Sequence, residues 1–268
     1  LFTALLKRRA KRTDMKDVRL KLKRKKTLAE GVLEFEFSSA EKLPQMHCGQ
    51  FLHIKVGGEF LLRRPFCLYK YDDYSVTLIV AVVGGGTRRM AEMKESDEVL
   101  AVLPIGNGFT LGAEHKKILL LGGGVGCAPL VSVPLTYPDK EYVSYIGFST
   151  EHAVMFKDEF AKFGSVTVCT DDGSAGRKGY VTDVLRQDIE KIKPDVILTC
   201  GNTPMLKAAA RLSADTKIPA YMSGETRMGC GVGACLVCAC AVKEKDGSIV
   251  HKRACVDGPV FRLEDVLL

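Results

Sequence analysis

The sequence has no internal repeat, no secretory signal ahead of its cysteines, and no charge-free stretch of membrane-spanning length that escapes glycine and proline. The missing repeat excludes solenoid and array architectures. The one candidate span, Ile118 to Pro138, contains Gly122, Gly123, Gly124 and Gly126 together with Pro129 and Pro134. It reads as a buried strand, a glycine turn and a helix start, so no membrane span is expected. Ser-His-Asp and His-Glu-x-x-His arrangements are also missing, and His47, His53, His115, His152 and His251 are scattered. Hydrolytic chemistry therefore has no support.

What remains is ordinary globular material. The chain has 268 residues, 46% apolar and 26% charged, which suits two domains with a small appendage and excludes collagenous and disordered classes. Its formal charge of +7 is nearly all terminal: residues 1–26 hold twelve Lys/Arg against Asp14 and Asp17, and the rest is slightly acidic. A basic arm could touch RNA or anionic lipid, but a solvated tail explains it more simply, and no nucleic-acid partner is expected. Met15 reads as a native start, leaving residues 1–14 as a basic N-terminal extension.

Three textures follow one another. From residue 15 to 112, short alternating runs such as Leu33–Phe37, Phe51–Val56 and Tyr74–Val83 are punctuated by turns, which predicts an antiparallel β-barrel with one short helical stretch at Arg88–Glu95. From 113 to 222, apolar strands at Lys117–Leu121, Tyr142–Phe148, Val166–Thr170, Asp195–Cys200 and Ala220–Met222 alternate with helical segments. That pattern is a doubly wound parallel sheet covered on both faces. Residues 223–268 are rich in glycine and cysteine, and too few for a core of their own, so they need a bound centre to fold.

Of ten cysteines, five lie between Cys230 and Cys255. Without a secretory signal, bound metal in a reducing, cytoplasmic compartment is a better reading than disulfides. Cys230, Cys235, Cys238 and Cys255 have the Cys-x4-Cys-x2-Cys…Cys order of plant-type [2Fe–2S] proteins. A tight loop can wrap an iron–sulfur rhomb only if its backbone curls closely, and Gly231 and Gly233 permit that. A structural zinc site is the rival; zinc ribbons usually offer two Cys-x2-Cys knuckles, whereas Cys255 stands alone. Cys240 would share a face with Cys238 on an extended segment and is an alternative ligand.

Gly122, Gly123, Gly124 and Gly126 lie between a buried strand and a helix start, the context in which backbone amides meet a pyrophosphate. The spacing is not G-x-G-x-x-G, and the loop by itself is not diagnostic. Two more loops fall at carboxyl ends of strands, where open α/β sheets bind ligands. One holds Asp171 and Asp172, which could accept from ribose hydroxyls or simply cap a helix; the other runs Cys200-Gly201-Asn202-Thr203-Pro204-Met205. In the barrel, Arg64 beside Pro65, Phe66 and Cys67, and the segment Gly84-Gly85-Gly86-Thr87, are anion seats suited to a flavin diphosphate, or only an edge strand and a turn.

Together the Arg-Pro barrel strand, the glycine loop, Cys200-Gly201-x-x-Pro204-Met205 and the terminal cysteines resemble the ferredoxin–NADP reductase superfamily. Glu225-Thr226-Arg227-Met228-Gly229-Cys230 and Cys255-Val256-Asp257-Gly258-Pro259 are most similar to the electron-transfer subunits of dihydroorotate dehydrogenase B. Pro104 to Phe109 follows that superfamily's barrel-closing pattern. The resemblance implies FAD on Arg64, Pro65, Phe66, Cys67, Ile79, Val80, Ala81, Gly86 and Thr87, and a [2Fe–2S] cluster on Cys230, Cys235, Cys238 and Cys255. It implies NAD(H) at the α/β domain, with Cys200 near the nicotinamide and Glu225 and Arg227 as polar neighbours of the flavin. It also implies a partner, an FMN-containing catalytic subunit that oxidises dihydroorotate, in a heterotetramer. Diaphorase subunits of hydrogenases, sulfide dehydrogenases and ferredoxin–NADP transhydrogenases are the related alternatives. The chain departs from the superfamily where Cys67 replaces a hydroxyl residue and where Val80 and Ala81 replace an aromatic and an arginine.

Overall fold

In the computed structural model, residues 15–268 are described; the basic extension 1–14 lies outside them. Seven antiparallel strands form the first unit: β1 (Lys16–Ala29), β2 (Val32–Ser38), β3 (Phe51–Lys55), β4 (Arg64–Cys67), β5 (Lys70–Tyr71), β6 (Ser75–Ala81) and β7 (Glu98–Ile105), hydrogen-bonded in the order β4-β3-β7-β1-β2-β6-β5. The two edge strands, β4 and β5, are separated in sequence only by Leu68 and Tyr69. Those two residues donate to Gln50 O and Thr77 O, one on each side of the seam, so the chain itself closes the sheet into a barrel.

Leu20, Leu22, Phe35, Phe37, Leu52, Ile54, Leu78 and Val80 fill the barrel. Much of the basic sequence before residue 26 belongs to this barrel and not to a tail. In β1, Leu20 and Leu22 point inward while Arg19, Lys21 and Lys23 face solvent, the period of a half-buried strand. Arg19 meets Glu98 at 2.8 Å, Lys23 meets Glu36 at 2.7 Å and Arg24 meets Glu34 at 3.0 Å. The short helix α1 (Gly85–Ala91) starts a turn earlier than the side-chain pattern suggests, because Thr87 Oγ1 accepts from the N–H groups of Val83 and Gly84 and caps it.

The second unit is a sheet of β8 (Lys117–Gly123), β9 (Glu141–Phe148), β10 (Gly164–Thr170), β11 (Arg177–Lys178), β12 (Val196–Cys200) and β13 (Ala220–Ser223), ordered β11-β10-β9-β8-β12-β13 and parallel throughout. Four helices accompany it: α2 (Ala128–Thr136), α3 (Lys157–Ala161), α4 (Val181–Ile192) and α5 (Thr203–Thr216). Alternate residues of β8 serve opposite cores. Ile118 and Leu120 pack with Leu130 and Val133 of α2, whereas Leu119 and Leu121 pack with Leu185 of α4 and Leu206 of α5. Burial on both faces explains why this strand is apolar without alternation.

After β13 come a hairpin, β14 (Ala239–Lys243) and β15 (Ile249–Arg253), and then β16 (Val260–Arg262). The expected boundary at residue 223 needs correction here. β16 pairs antiparallel with β13, Tyr221 opposite Arg262, so the chain's end returns to the second sheet and anchors the cysteine segment at both ends. That antiparallel edge also makes the sheet mixed. Among the described residues no helix is long and apolar enough to cross a membrane.

Candidate functional site

Barrel, parallel sheet and cysteine segment meet around one cleft of about 410 Å³. The barrel contributes Phe51, Arg64, Pro65, Phe66, Cys67, Ile79, Ala81, Val83 and Thr87; the α/β unit contributes Val125, Gly126, Ala128, Pro129 and Cys200; and Gly224, Glu225, Thr226, Met228, Ala254 and Pro259 come from the third segment. Ten of the residues singled out in the sequence thus share one cavity wall.

The remainder lie elsewhere, for physical reasons. Val80 is buried in the barrel core, because alternation along β6 turns Ile79 and Ala81 to the cleft and Val80 away from it; only its backbone is available to a ligand. Gly86 lies against Arg64: a Cβ there would stand 2.7 Å from the guanidine Nε, so the glycine holds room for that side chain. The ring of Phe60 lies 5.4 Å from the guanidinium carbon, and Leu62 O accepts from Arg64 Nη1 at 2.7 Å. Gly122 abuts Cys127 Sγ, and Gly123 and Gly201 both abut the Met205 side chain, so these three are packing positions between the turns after β8 and β12. At Gly126 a Cβ would meet Cys200 O at 2.6 Å, which is how the glycine turn comes flush with the end of β12. Gly124, at φ +54°, has open space around it. Asp171 and Asp172 are exposed outside the cleft, and Asp172 accepts from Ser174 N and Oγ, a loop-stabilising role. Arg227 is exposed and does not line the cleft.

Inside the cleft the thiols are protonated. Burial, assisted by the negative charge of Glu225 and opposed by the Ser223 hydroxyl, pushes Cys67 up to about 12. Burial raises Cys200 well above the ordinary thiol value, with Cys67 and Glu225 adding to it. A raised value leaves the neutral S–H form dominant below it, so alkylation of Cys67 by iodoacetamide should climb about tenfold per pH unit with no plateau below about pH 11. A plateau near pH 9 in a pH series followed by mass spectrometry would contradict this environment. Thr226 Oγ1, also in the cleft wall, is buried with no hydrogen-bond partner. A buried hydroxyl left unpaired is costly, and a polar cofactor edge in the cleft is a fitting partner for it.

The cysteines form two pairs. The N–H groups of Val232, Ala234 and Cys235 point at Cys230 Sγ at 3.3–3.4 Å, and Cys230 N points at Cys235 Sγ at 3.3 Å. Partial burial opposes ionisation of Cys230, but these backbone donors outweigh it and bring the thiol down to about 6. Cys238 and Cys255 lie 3.3 Å apart, sulfur to sulfur, in a small core with Phe51, Ile105 and Ala254. The Gly233 backbone reaches toward Cys255, and Arg253 Nη1 donates to Gly233 O at 3.0 Å, tying the exposed pair to the buried one. Among the described residues no three His, Cys, Asp or Glu converge as a single ion requires. Two all-thiol pairs joined by an N–H-lined loop fit a two-iron rhomb, one pair to each iron, better than the tetrahedral zinc knot. Cys240, the alternative ligand, lies on β14 with its thiol on Lys252 O at 3.3 Å.

Sequence reasoning passed over His53. It is fully buried on β3, both ring nitrogens lack a partner, and burial lowers it to about 4. Asn107 gained its meaning only in three dimensions. Its Nδ2 donates to Asp257 O and Val260 O at 3.1 and 3.0 Å, and its Oδ1 accepts from Val260 N at 2.9 Å, clamping the cysteine segment to the barrel.

A flavin-type barrel followed by a parallel nucleotide-binding sheet, with a shared cleft and a thiol-lined appendage, defines a ferredoxin–NADP reductase-like oxidoreductase. The family profile described as the iron-sulfur cluster binding domain of dihydroorotate dehydrogenase B matches residues 225–267, and that of the oxidoreductase NAD-binding domain matches residues 120–211. The electron transfer subunit of dihydroorotate dehydrogenase B (NAD(+)) from Caldanaerobacter subterraneus is 40% identical over 240 residues, covering 90% of this chain and 94% of the relative. Its counterpart from Geobacillus kaustophilus is 40% identical over 258 residues, covering 93% and 98%. This chain belongs to that family of electron-transfer subunits. A chain in the NADH-dependent reduced ferredoxin–NADP oxidoreductase structure matches with a TM-score of 0.82 at 30% identity, over 92% of this chain and 89% of that one. Phthalate dioxygenase reductase, at 19% identity and a TM-score of 0.64 over 89% and 77%, shares the fold. FAD, a [2Fe–2S] cluster and NAD are the cofactors of a chain built this way.

Proposed function

We propose that this chain conveys electrons from a separate FMN-containing, dihydroorotate-oxidising subunit to NAD⁺, with its cluster edge docked on that partner. The carrying observation is the thinness of the wall between the two redox compartments. Phe51, Met228 and Ala254 line the cleft and at the same time pack around Cys238 and Cys255, so one layer of side chains separates flavin cleft from thiols. When bound, a flavin exchanges the hydride pair of a nicotinamide for the single electrons that an iron–sulfur cluster handles. The chain's residues supply position and shielding. Arg64, Pro65, Phe66, Cys67, Ile79 and Ala81 form the flavin wall, and Gly126 and Cys200 hold the nicotinamide side; the neutral Cys67 and Cys200 thiols add no charge there. Hydride transfer depends on stacking and distance, and no acid or base need be supplied.

Val232, Leu236 and Val237 are exposed on the cysteine loop, 37%, 61% and 54% respectively, beside exposed Cys235. An apolar edge over the outer thiol pair suits an obligate redox partner, and the family resemblance implies a heterotetramer with it. Val237→Glu should raise the Kd for that partner at least about tenfold, a hot-spot-sized effect, measured by calorimetry at constant cluster content. Ten cysteines without a disulfide, four of them assigned to the cluster, suit the reducing cytoplasm. Purification of the native complex tests the whole reading. Recovery with an FMN protein and dihydroorotate-dependent NAD⁺ reduction supports it, whereas recovery with hydrogenase or sulfide dehydrogenase subunits replaces the donor.

A further inference from the structure

Strand β3 faces two ways. Leu52 and Ile54 enter the barrel core, while Phe51 and His53 point outward, where an isolated barrel would meet water; here the cysteine segment covers both. Phe51 finds an apolar seat against Cys238 and Cys255. His53 does not find a polar one. Its exposure is 0%, and neither Nδ1 nor Nε2 has a well-aligned hydrogen-bond partner; the backbones of Arg63 and Cys230 act on the ring only as weak, poorly aligned acceptors. A fully buried imidazole with two orphaned nitrogens is unusual and costly, since buried polar atoms are nearly always satisfied.

The direction of the ring is fixed by its neighbour. Gly231, the residue after the first cysteine, has φ +70°, and a Cβ there would stand 2.6 Å from His53 Nδ1. The imidazole and the cluster loop are therefore in contact at a point where only glycine permits it, one residue along the chain from Cys230, whose Sγ receives three backbone N–H groups from the same loop. Arg63 reinforces the placement from the barrel side, because its Nη1 donates to the backbone oxygen of His53 at 3.3 Å and its Nη2 pairs with Asp17 at 2.7 Å. Each feature holds the ring against the loop. None satisfies its nitrogens.

We propose that His53 is a side-chain hydrogen-bond donor to the cluster, its N–H reaching the sulfur shell at the Cys230 corner and raising the cluster's reduction potential. The inference rests on the four-thiol assignment above. Hydrogen bonds to cluster sulfurs stabilise the added negative charge of the reduced form, and so favour reduction. The donor comes from the barrel and not from the cluster loop, so it also couples the potential to correct docking of the two units. Gly231 is then a steric partner of the donor as well as a curl in the loop.

The test uses the complete chain loaded with cluster and flavin, with cluster content fixed by iron analysis and visible absorbance. In protein labelled with ¹⁵N-histidine, pulsed EPR of the reduced cluster should show weak nitrogen coupling in the wild type, absent from His53→Leu. An EPR-monitored redox titration should place His53→Leu lower by about tenfold in the oxidised–reduced equilibrium, which for one electron is about 59 mV. His53→Gln, which keeps an N–H, should recover part of that shift, and the flavin potential should be unmoved in both variants. Wild-type protein without histidine coupling, or His53→Leu with normal cluster content and an unchanged potential, overturns the proposal. If His53→Leu fails to load a cluster, the wild-type spectrum and His53→Gln still decide. Wild-type protein that binds no iron would overturn the thiol assignment instead, and this proposal with it.

Discussion

Cys255→Ser should lower electron passage between partner and NAD⁺ by more than about 100-fold while leaving the flavin half of the chain at work. Cys255 is 3% exposed and 3.3 Å from Cys238, the inner thiol pair, on the side of the thin wall that Phe51 and Ala254 share with the cleft. Serine matches it in size but offers an oxygen that resists ionisation, so one iron loses half of its protein ligands. Loss of an outer-shell partner at a metal site typically costs 10–100-fold; loss of a ligand should exceed about 100-fold in dihydroorotate-dependent NAD⁺ reduction. The segment from 225 to 259 has only the small core around Cys238 and Cys255, so its fold leans on the bound centre and should become protease-sensitive with it. None of the flavin-wall residues from Arg64 to Ala81 is disturbed. NADH oxidation with a small-molecule acceptor should therefore fall far less than the partner-dependent activity, because the barrel and α/β walls of the cleft stay in place and only the side lined by Glu225, Thr226, Met228 and Ala254 loosens. Parallel loss of both activities, measured side by side on protein of known flavin content, would show that cleft and cluster segment are not separable in this way.

The division between readable and unreadable features follows from locality. Strand periodicity is a property of neighbouring residues, and β2, β3, β6, β9 and β12 lie within two residues of their expected ends because Val, Ile and Phe alternate, or run together, in short stretches. Cysteine spacing is equally local, since one loop must wrap one centre. The charge of residues 16–26 misled because a count of Lys and Arg ignores phase; with Leu20 and Leu22 inward, the same residues become the wet face of a strand. Along β6 the same phase turns the Val80 side chain into the barrel core and leaves only its backbone on the side of Ile79 and Ala81. Gly122 and Gly123 sit in a loop of pyrophosphate-binding context and Gly201 in a strand-end loop, but in sequence a glycine reports only close approach. What approaches is Cys127 and Met205, and chain order does not disclose it. His53 is the extreme case: a histidine alone among strand residues gives no sign that Gly231, far along the chain, will lie against it.

Asn107 shows how one side chain can carry the junction between the barrel and the cluster segment, and Asn107→Ala is the second large effect expected. The side chain makes three hydrogen bonds to the backbone of Asp257 and Val260 at 2.9–3.1 Å, and its own N–H donates to Gly258 O at 2.6 Å. Together they imitate a strand pairing where the chain cannot form one, since Pro259 has no N–H to give. At ~1 kcal/mol for each side-chain bond, with a further cost for partly buried backbone groups left unpaired, the substitution should lower stability by about 3–5 kcal/mol, read as a shifted urea midpoint. Asn107→Asp should be worse than alanine, because it sets a carboxylate against the carbonyl oxygens of Asp257 and Val260 in place of an amide donor. That order distinguishes a hydrogen-bonded clamp from simple filling of space, for which aspartate, nearly the same size as asparagine, would be the milder change. The clamp also fixes function. Residues 257–259 lie between Cys255 and β16, so loosening them should slow transfer between cluster and flavin before it alters either cofactor's content. Stopped-flow measurement of internal electron transfer in Asn107→Ala, at a temperature where the variant remains folded, should therefore show a lower rate with unchanged flavin and iron stoichiometry.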